Sequence, residues 1–327
     1  MEEEPSSLVS IARSQRIPTK EFEKQYKDHL SGFRQWEQRD HAEDWLLFPE
    51  NIGDRLSIDE TAVSNGELYT IITNKAAHGK KGSLVGIVAG TKACEIIAVL
   101  EKIPEEKRNS VLEVTLDMSP AMEAIIKSAF PKATLVIDRF HVQQLVSDAV
   151  QEMRISLRRE ALKEENEAIK SCKKERIRYR PETFENGDTK KQLLARSHHL
   201  LFKPQSRWHE SQKLRADILF RVFPALKEAY NLAMMFRSCY EYSHSRESAK
   251  IALEKWYAKV EEKNDEAFLV VADSIRLHET TLLNYFIHRS TNASAESFNA
   301  KLKGFRTLVR GVRDKKFFLF RVATLFG

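Results

Sequence analysis

The sequence predicts an α/β fold in which a mixed sheet is flanked by helices and interrupted by a large all-α insertion. Short apolar runs typical of strands, separated by turns and helical patterns, occupy residues 55–141. From about residue 142 the strand signals stop, and only helical patterns follow to residue 287. The segment 315–326 is again apolar enough to pack on a core, and 327 residues with 42% hydrophobic content can form one.

Composition narrows the functional class. The net charge of +6 weakly favours an anionic partner, although a basic protein without a nucleic-acid role is also compatible with it. The three cysteines are far apart and not in Cys-x-x-Cys pairs, which argues against a disulfide framework or a zinc finger and favours a reducing cytoplasm. The N-terminus lacks the apolar segment of a signal peptide, and no apolar run reaches membrane-spanning length.

Residues 1–50 are polar and charged and predict an N-terminal helical arm. Phe22, Tyr26, Leu30 and Phe33 recur at helical spacing. The arm is too short to form an independent DNA-reading domain.

The first part of the core is expected over residues 51–150. Runs at 55–63 and 66–74 flank the turn Asn65-Gly66, which is a strong hairpin signal, and a third run follows at 82–90. These three strands can form an antiparallel meander.

Helices and strands then alternate. A helix is expected over 92–103, a strand over 111–118, a helix from the Ser119-Pro120 cap to Pro131, and a strand over 133–141. This order predicts a mixed sheet with helices packed on it, and it is the order of a ribonuclease-H-like core, although other α/β folds share parts of it.

Residues 151–287 are expected to form the all-helical insertion, and residues 288–327 the helices that complete the core. Residues 151–180 carry ten Lys/Arg and six Asp/Glu, which indicates a solvated face or a surface that faces DNA. Trp208 is expected to pack in the core of the insertion, although a tryptophan side chain can also stack on the bases of a nucleic acid.

Three acidic residues are candidates for a single metal-binding site. Asp59 lies in the first strand, Asp117 ends the fourth, and Glu296 lies on a helix after the insertion. The first and fourth strands of a ribonuclease-H-like sheet are neighbours, so the three carboxylates can converge as ligands for hard divalent cations. Each acid taken alone is also compatible with a helix cap or an exposed position, and Asp59 and Glu60 alternate, so at most one of them faces such a site.

Specific sequence blocks resemble bacterial insertion-sequence transposases of the DDE superfamily, in the group with an Asp-x-x-His element and an all-helical insertion. The blocks are SIDET, VTLDMSPAM, AFPKATLVIDRFHV and STNASAESFNAKLKGFR, and the likeness covers roughly residues 45–327. It implies that Asp59, Asp117 and Glu296 are the catalytic metal ligands. It also implies cleavage of transposon ends and strand transfer into target DNA with two Mg²⁺ ions, for which Mn²⁺ can substitute.

The Asp-x-x-His element corresponds to Asp138 and His141, which we treat as accessory. Asp138 is either a fourth ligand or the true second Asp, and strand order favours Asp117 for that role. His141 either stabilises the fold or lies near the metal.

A basic segment surrounds Glu296. Asn292, Asn299 and Lys303 share its helical face. Phosphate contact and solvent exposure are both compatible with that placement. The residues expected to bind DNA are Asn292, Asn299, Lys301, Lys303, Arg306, Arg310 and Arg313.

The resemblance implies double-stranded DNA as partner, both transposon ends and target. It also implies a homo-oligomer on DNA, no membrane, and a bacterial cytoplasmic, nucleoid-associated protein. Relatives carry an N-terminal zinc-binding and helix-turn-helix region that this sequence lacks, so end recognition is expected from a separately encoded partner, or the chain is a relic. The alternatives are a metal-dependent nuclease that cuts without joining and a transposase-derived DNA-binding protein without catalysis.

Overall fold

The structure is a computed structural model that describes residues 5–64, 66–309 and 312–327. The chain forms two compact units. The first, here called the sheet unit, contains the residues up to Asp138 together with His288–Gly327. The second, the helical unit, contains Arg139–Ile287.

Among the described residues, the sheet unit has one six-stranded sheet in the order β1-β4-β3-β2-β5-β6. Strands β2, β3 and β4 form the expected antiparallel meander, and β5 and β6 run parallel to β2, so the predicted ribonuclease-H-like mixed sheet is confirmed. Asn65, in the predicted hairpin turn, lies outside the described residues. The strands are β1 Trp45–Leu47, β2 Arg55–Ser64, β3 Glu67–Asn74, β4 Leu84–Ala89, β5 Glu113–Leu116 and β6 Thr134–Ile137.

Helices flank this sheet and make up the helical unit. In chain order they are α1 Leu8–Ser14, α2 Thr19–Gln25, α3 Ala93–Leu100, α4 Glu105–Asn109, α5 Pro120–Ala129, α6 Arg139–Lys174, α7 Lys190–Arg196, α8 Glu210–Val222, α9 Pro224–Tyr242, α10 Arg246–Lys263, α11 Glu266–Leu277, α12 Glu279–Leu283, α13 Tyr285–His288, α14 Ala293–Leu308 and α15 Lys315–Phe326. As expected, α5 begins at Pro120 after Ser119. None of the described helices is both long and apolar enough to cross a membrane.

The two faces of the sheet pack on different helices because strand side chains alternate. Leu56 and Ile58 of β2 join a buried cluster with residues of α3 and α5. On the opposite face, Val63 of β2 joins a cluster formed with α14 and α15. Residues 57, 59, 61 and 63 of β2 therefore face α14 and α15.

The apolar C-terminal segment packs on the core as predicted. Helix α15 begins where the Asp314 side chain accepts a hydrogen bond from the Phe317 amide. Phe318 of α15 stacks on Phe305 of α14, with ring centroids 5.3 Å apart. Phe33, from the N-terminal arm, meets Phe317 edge to face at 5.2 Å. The arm thus packs against α15.

The helical unit has its own core, rich in aromatic side chains. Trp208 is buried and donates its indole hydrogen to the Leu200 carbonyl at 2.9 Å. Its ring lies 5.5 Å from that of Tyr230, so the expected core packing is confirmed. Trp256 likewise donates to the Leu232 carbonyl at 2.9 Å. These bonds fix the two large rings, one against the turn after α7 and the other against α9.

Candidate metal centre

Three aspartates lie at matching positions on three neighbouring parallel strands. Ser57 is paired with Thr115, so the same register continued by two residues sets Asp59 level with Asp117. Leu116 is paired with Ile137, so the same register continued by one residue sets Asp117 level with Asp138. The Asp138 amide donates to the Leu116 carbonyl at 2.9 Å, which continues the ladder to that point. The middle of β2 and the carboxyl ends of β5 and β6 thus bring one aspartate each to a common level.

Strand alternation puts these aspartates on the face of the sheet that carries α14. Ile58, Leu116 and Ile137 alternate with Asp59, Asp117 and Asp138 along their strands. Ile58 and Leu116 belong to the cluster on the α3 and α5 face. The aspartates therefore project to the opposite side, as the convergence expected from the sequence requires.

Helix α14 holds Glu296 over this face through two buried asparagines. The Asn299 amide donates to Oδ2 of Asp59 at 2.5 Å, and the Asn292 amide reaches the Ile58 carbonyl at 3.5 Å. Glu296 lies four residues after Asn292 and three before Asn299, so all three share the helical face that packs on β2. Asn292 is fully buried, and Asn299 is 6% exposed. The structure places both amides on β2 and not at the protein surface, so they face neither solvent nor a DNA phosphate, and the expected DNA contact does not apply to them.

The acidic side chains differ in burial, and the group opens to solvent at Glu296. Asp138 is buried, Asp59 and Asp117 are half-buried, and Glu296 is exposed. A carboxylate oxygen of Asp138 lies within 4.8 Å of one of Glu296. Carboxylates at this spacing repel one another, and a divalent cation with a preference for oxygen ligands would relieve that repulsion. Asp138 and Glu296 are therefore close enough to share a hard divalent metal. Among the described residues, Asp59 and Asp117 do not join them within that distance.

Glu60 stands outside this set. It follows Asp59 on β2, is exposed, and alternates to the other face. Burial of part of its side chain and the negative charge of Asp117 raise the pKa of Glu60 above its ordinary value. The charge of Asp117 therefore reaches β2 even from beyond the end of β5.

His141 lies in the first turn of α6, at the start of the helical unit. Its ring meets that of Phe140 edge to face, with centroids 5.7 Å apart. Phe140 itself is 57% exposed. His141 is only partly buried.

The basic residues expected to bind DNA divide into two groups. Lys301 donates to the Gly79 carbonyl at 2.7 Å, and Arg306 donates to the Ala62 carbonyl at 3.2 Å. These two therefore tie α14 to the rest of the sheet unit. Lys303 and Arg313 are exposed, and Arg310 lies outside the described residues.

Sequence reasoning missed two further groups of cations. Lys80 and Lys81 are exposed in the β3–β4 loop, next to the Gly79 carbonyl that Lys301 binds. The two lysines flanked by glycines were a visible signal for an exposed turn. Lys75, by contrast, is largely buried against Glu113 of β5. No sequence pattern distinguishes it from an ordinary loop lysine.

Comparisons with known proteins agree with this architecture. The chain is 20% identical to the transposase for insertion sequence element IS1001 of Bordetella parapertussis over 273 residues, which are 83% of this chain and 60% of that protein. The chain thus spans about three fifths of the length of this relative. No solved structure matches it. The family model DDE_Tnp_ISL3, described as Transposase, matches residues 56–322. That range covers most of the chain and the sheet with its acids, so the protein belongs to this family of DDE transposases.

Proposed function

We propose that the chain cleaves the DNA ends of an insertion sequence and joins them to target DNA in a metal-dependent reaction. The observation that carries the proposal is the common level of Asp59, Asp117 and Asp138 on three parallel strands, beneath the helix of Glu296. Such a group of acids would repel phosphate by itself. It suits phosphoryl transfer only when cations lie between the acids and the DNA.

Asp59, Asp117 and Glu296 are the proposed ligands of Mg²⁺, with Asp138 as an accessory carboxylate. When bound, a pair of Mg²⁺ ions supplies charge stabilisation for the attacking and leaving oxygens of an in-line displacement. Asn299 orients Asp59 through its 2.5 Å hydrogen bond, and Asn292 fixes the start of α14 on β2. No protein nucleophile is needed, because water attacks in cleavage and a DNA 3′-hydroxyl attacks in joining.

Exposed cations of the sheet unit are the proposed DNA contacts. Lys303 and Arg313 follow Glu296 in the chain, and Lys80 and Lys81 adjoin Lys301 in the β3–β4 loop. Lysine and arginine at such positions neutralise backbone phosphates without reading sequence. Recognition of the element's ends is assigned to a separately encoded protein, and the assembly on DNA to more than one copy of the chain.

The test is an in vitro joining reaction. The purified chain is incubated with labelled DNA carrying the element's own ends and a target plasmid, in Mg²⁺ or in EDTA. Each reaction is repeated with any protein encoded just upstream. Joined products that need Mg²⁺ are expected, and Asp117→Asn and Glu296→Gln should each abolish them. Glu105→Gln, which removes a carboxylate from α4 away from the site, is the matched control and should join normally.

Each contrary outcome points to a different function. Cutting without joining would replace the transposase proposal with a nuclease. DNA binding with no chemistry, even with the upstream protein, would leave a DNA-binding protein derived from a transposase. Normal joining by both acid variants would refute the assignment of the metal ligands.

A further inference from the structure

A lysine is buried on the same face of the sheet as the candidate acids. Lys75 directly follows β3, its side chain is 14% exposed, and its ammonium donates to the Thr115 hydroxyl. Thr115 is fully buried on β5 two residues before Asp117, so the two side chains share one face of the strand. Lysine is almost never buried without a charge that it compensates. The role of Lys75 therefore depends on the negatively charged groups near it.

Two sources of negative charge act on Lys75. Oε1 of Glu113, a side chain only 3% exposed, lies 3.6 Å from its ammonium nitrogen. Burial holds the pKa of Lys75 below its ordinary value, against the opposing attraction of the Glu113 and Asp138 carboxylates. The charge of Asp138, a member of the acid group, is therefore felt at Lys75. The lysine is ion-paired with Glu113, and it donates to Thr115, which lies two residues before Asp117 on the same face of the sheet.

This position has opposite consequences with and without metal. Without metal, the acids repel one another, and a fixed positive charge nearby offsets part of that repulsion. With a divalent cation bound, the acids are already neutralised, and the same lysine is a like charge near the cation. Thermodynamic linkage then requires that a group which stabilises the metal-free site more than the metal-bound site weakens metal binding by the corresponding factor.

We propose that Lys75 is a positioning residue that serves as the built-in counter-charge of the acid group. It stabilises the end of β5 through Thr115 when no metal is bound, and it lowers the affinity of the site for divalent metal. This inference rests on the proposed metal site, and it concerns a residue that contacts neither the DNA nor the metal.

The test measures metal binding directly, with the full chain and without DNA. Free Mn²⁺ is followed by electron paramagnetic resonance during a titration. Lys75→Met should bind Mn²⁺ about fivefold or more tightly than the wild type, and Lys75→Arg should bind as the wild type does. Lys315→Met is the matched control, because it breaks an ion pair with Glu67 (2.5 Å) on β3 of the same unit and should leave the affinity unchanged. An unchanged Mn²⁺ affinity in Lys75→Met would overturn the inference.

A second pair of variants controls for misfolding of Lys75→Met. Lys75→Met alone leaves Glu113 buried and without its cation, which can unfold the protein. The same substitution in a Glu113→Gln background leaves no such charge, and it should bind Mn²⁺ more tightly than Glu113→Gln alone. Equal affinities in that pair would overturn the inference. A wild-type protein that binds no Mn²⁺ would instead refute the proposed metal site itself, and the inference with it.

Discussion

The sheet unit and the helical unit bury polar groups in different ways. In the helical unit, the buried Arg154 donates to the Leu194 carbonyl at 3.0 Å, and Asp188 accepts from Arg215 at 3.0 Å. Each of these polar groups meets a complementary one. In the sheet unit, Asp59, Asp117 and Asp138 share a level on one face, so groups of like charge are close together.

This difference separates structural polar groups from functional ones. A buried donor that meets a carbonyl or a carboxylate stabilises the fold and needs no ligand. A group of carboxylates destabilises the metal-free fold, because each raises the free energy of ionising the others. Such a group is expected only where a bound cation offsets the repulsion between the carboxylates. Burial alone therefore does not identify a site, whereas the sign of the neighbouring charges does.

The largest expected effect of a single charge is on catalysis in the sheet unit. Glu296→Gln keeps the shape of the side chain and removes one negative charge from the acid group. Joining should fall by about a thousandfold or more, equivalent to about 4 kcal/mol of activation free energy. The melting temperature in EDTA should stay the same or rise, because repulsion is relieved. A clear fall in melting temperature would mean that Glu296 serves the fold, and the contrast between the two units would be lost at this residue.

Asp188 provides the matching test in the helical unit. It is fully buried and is held by Arg215 and Arg196, so Asp188→Asn leaves two guanidinium groups without their carboxylate. Unfolding free energy should fall by about 3 kcal/mol, below the upper range for a buried pair because the Arg196 side chain is 56% exposed. Urea unfolding followed by the fluorescence of Trp208 and Trp256, both in this unit, would measure it. Stability equal to that of the wild type would contradict the structural role.

The same residue predicts a pH dependence. Burial opposes ionisation of Asp188, but the hydrogen bonds from Arg215 and Arg196 outweigh it, and its pKa lies below the ordinary value. A carboxyl group of this kind contributes stability above its unfolded pKa of about 3.9 and loses it as the pH falls through the lower folded value. The wild type should therefore lose more stability than Asp188→Asn below about pH 4. Parallel stability curves in that range would refute the assignment.

Substitution of Asn299 tests the contact between α14 and β2. Asn299→Ala removes the donor to Asp59, a hydrogen bond to a charged group that contributes about 2 kcal/mol. Both joining activity and the stability of the sheet unit should fall, unlike in Glu296→Gln, where only activity falls. The exposed Asn231 of α9 offers the control substitution, Asn231→Ala, which should change neither. Loss of stability with full activity per folded molecule would show that Asn299 does not orient Asp59 for catalysis.

How much of this could be predicted from the sequence depends on the range of the interaction. The order of strands and helices followed from local patterns, and the pairing of the first with the fourth predicted strand followed from that order. Strand β1 was missed because Trp45–Leu47 is too short for alternation to be visible. Helical spacing put Asn292 and Asn299 on the face of Glu296, but only the packed structure shows that β2 covers this face. Lys75 was missed because its partners come from β5, about forty residues later.

The smallest expected effect concerns the surface of the sheet unit. Lys80 and Lys81 are exposed in the β3–β4 loop beside the bond from Lys301 to Gly79. If both contact phosphate, replacing them with alanine should reduce the slope of log affinity for DNA against log salt by about 1.8. Lys250→Ala with Lys255→Ala, which removes two exposed charges from the helical unit, is the matched control and should leave the slope unchanged. Equal slopes in the two double variants would mean that the DNA path does not include this loop. A smaller slope for the control alone would move the DNA contact from this loop to the helical unit.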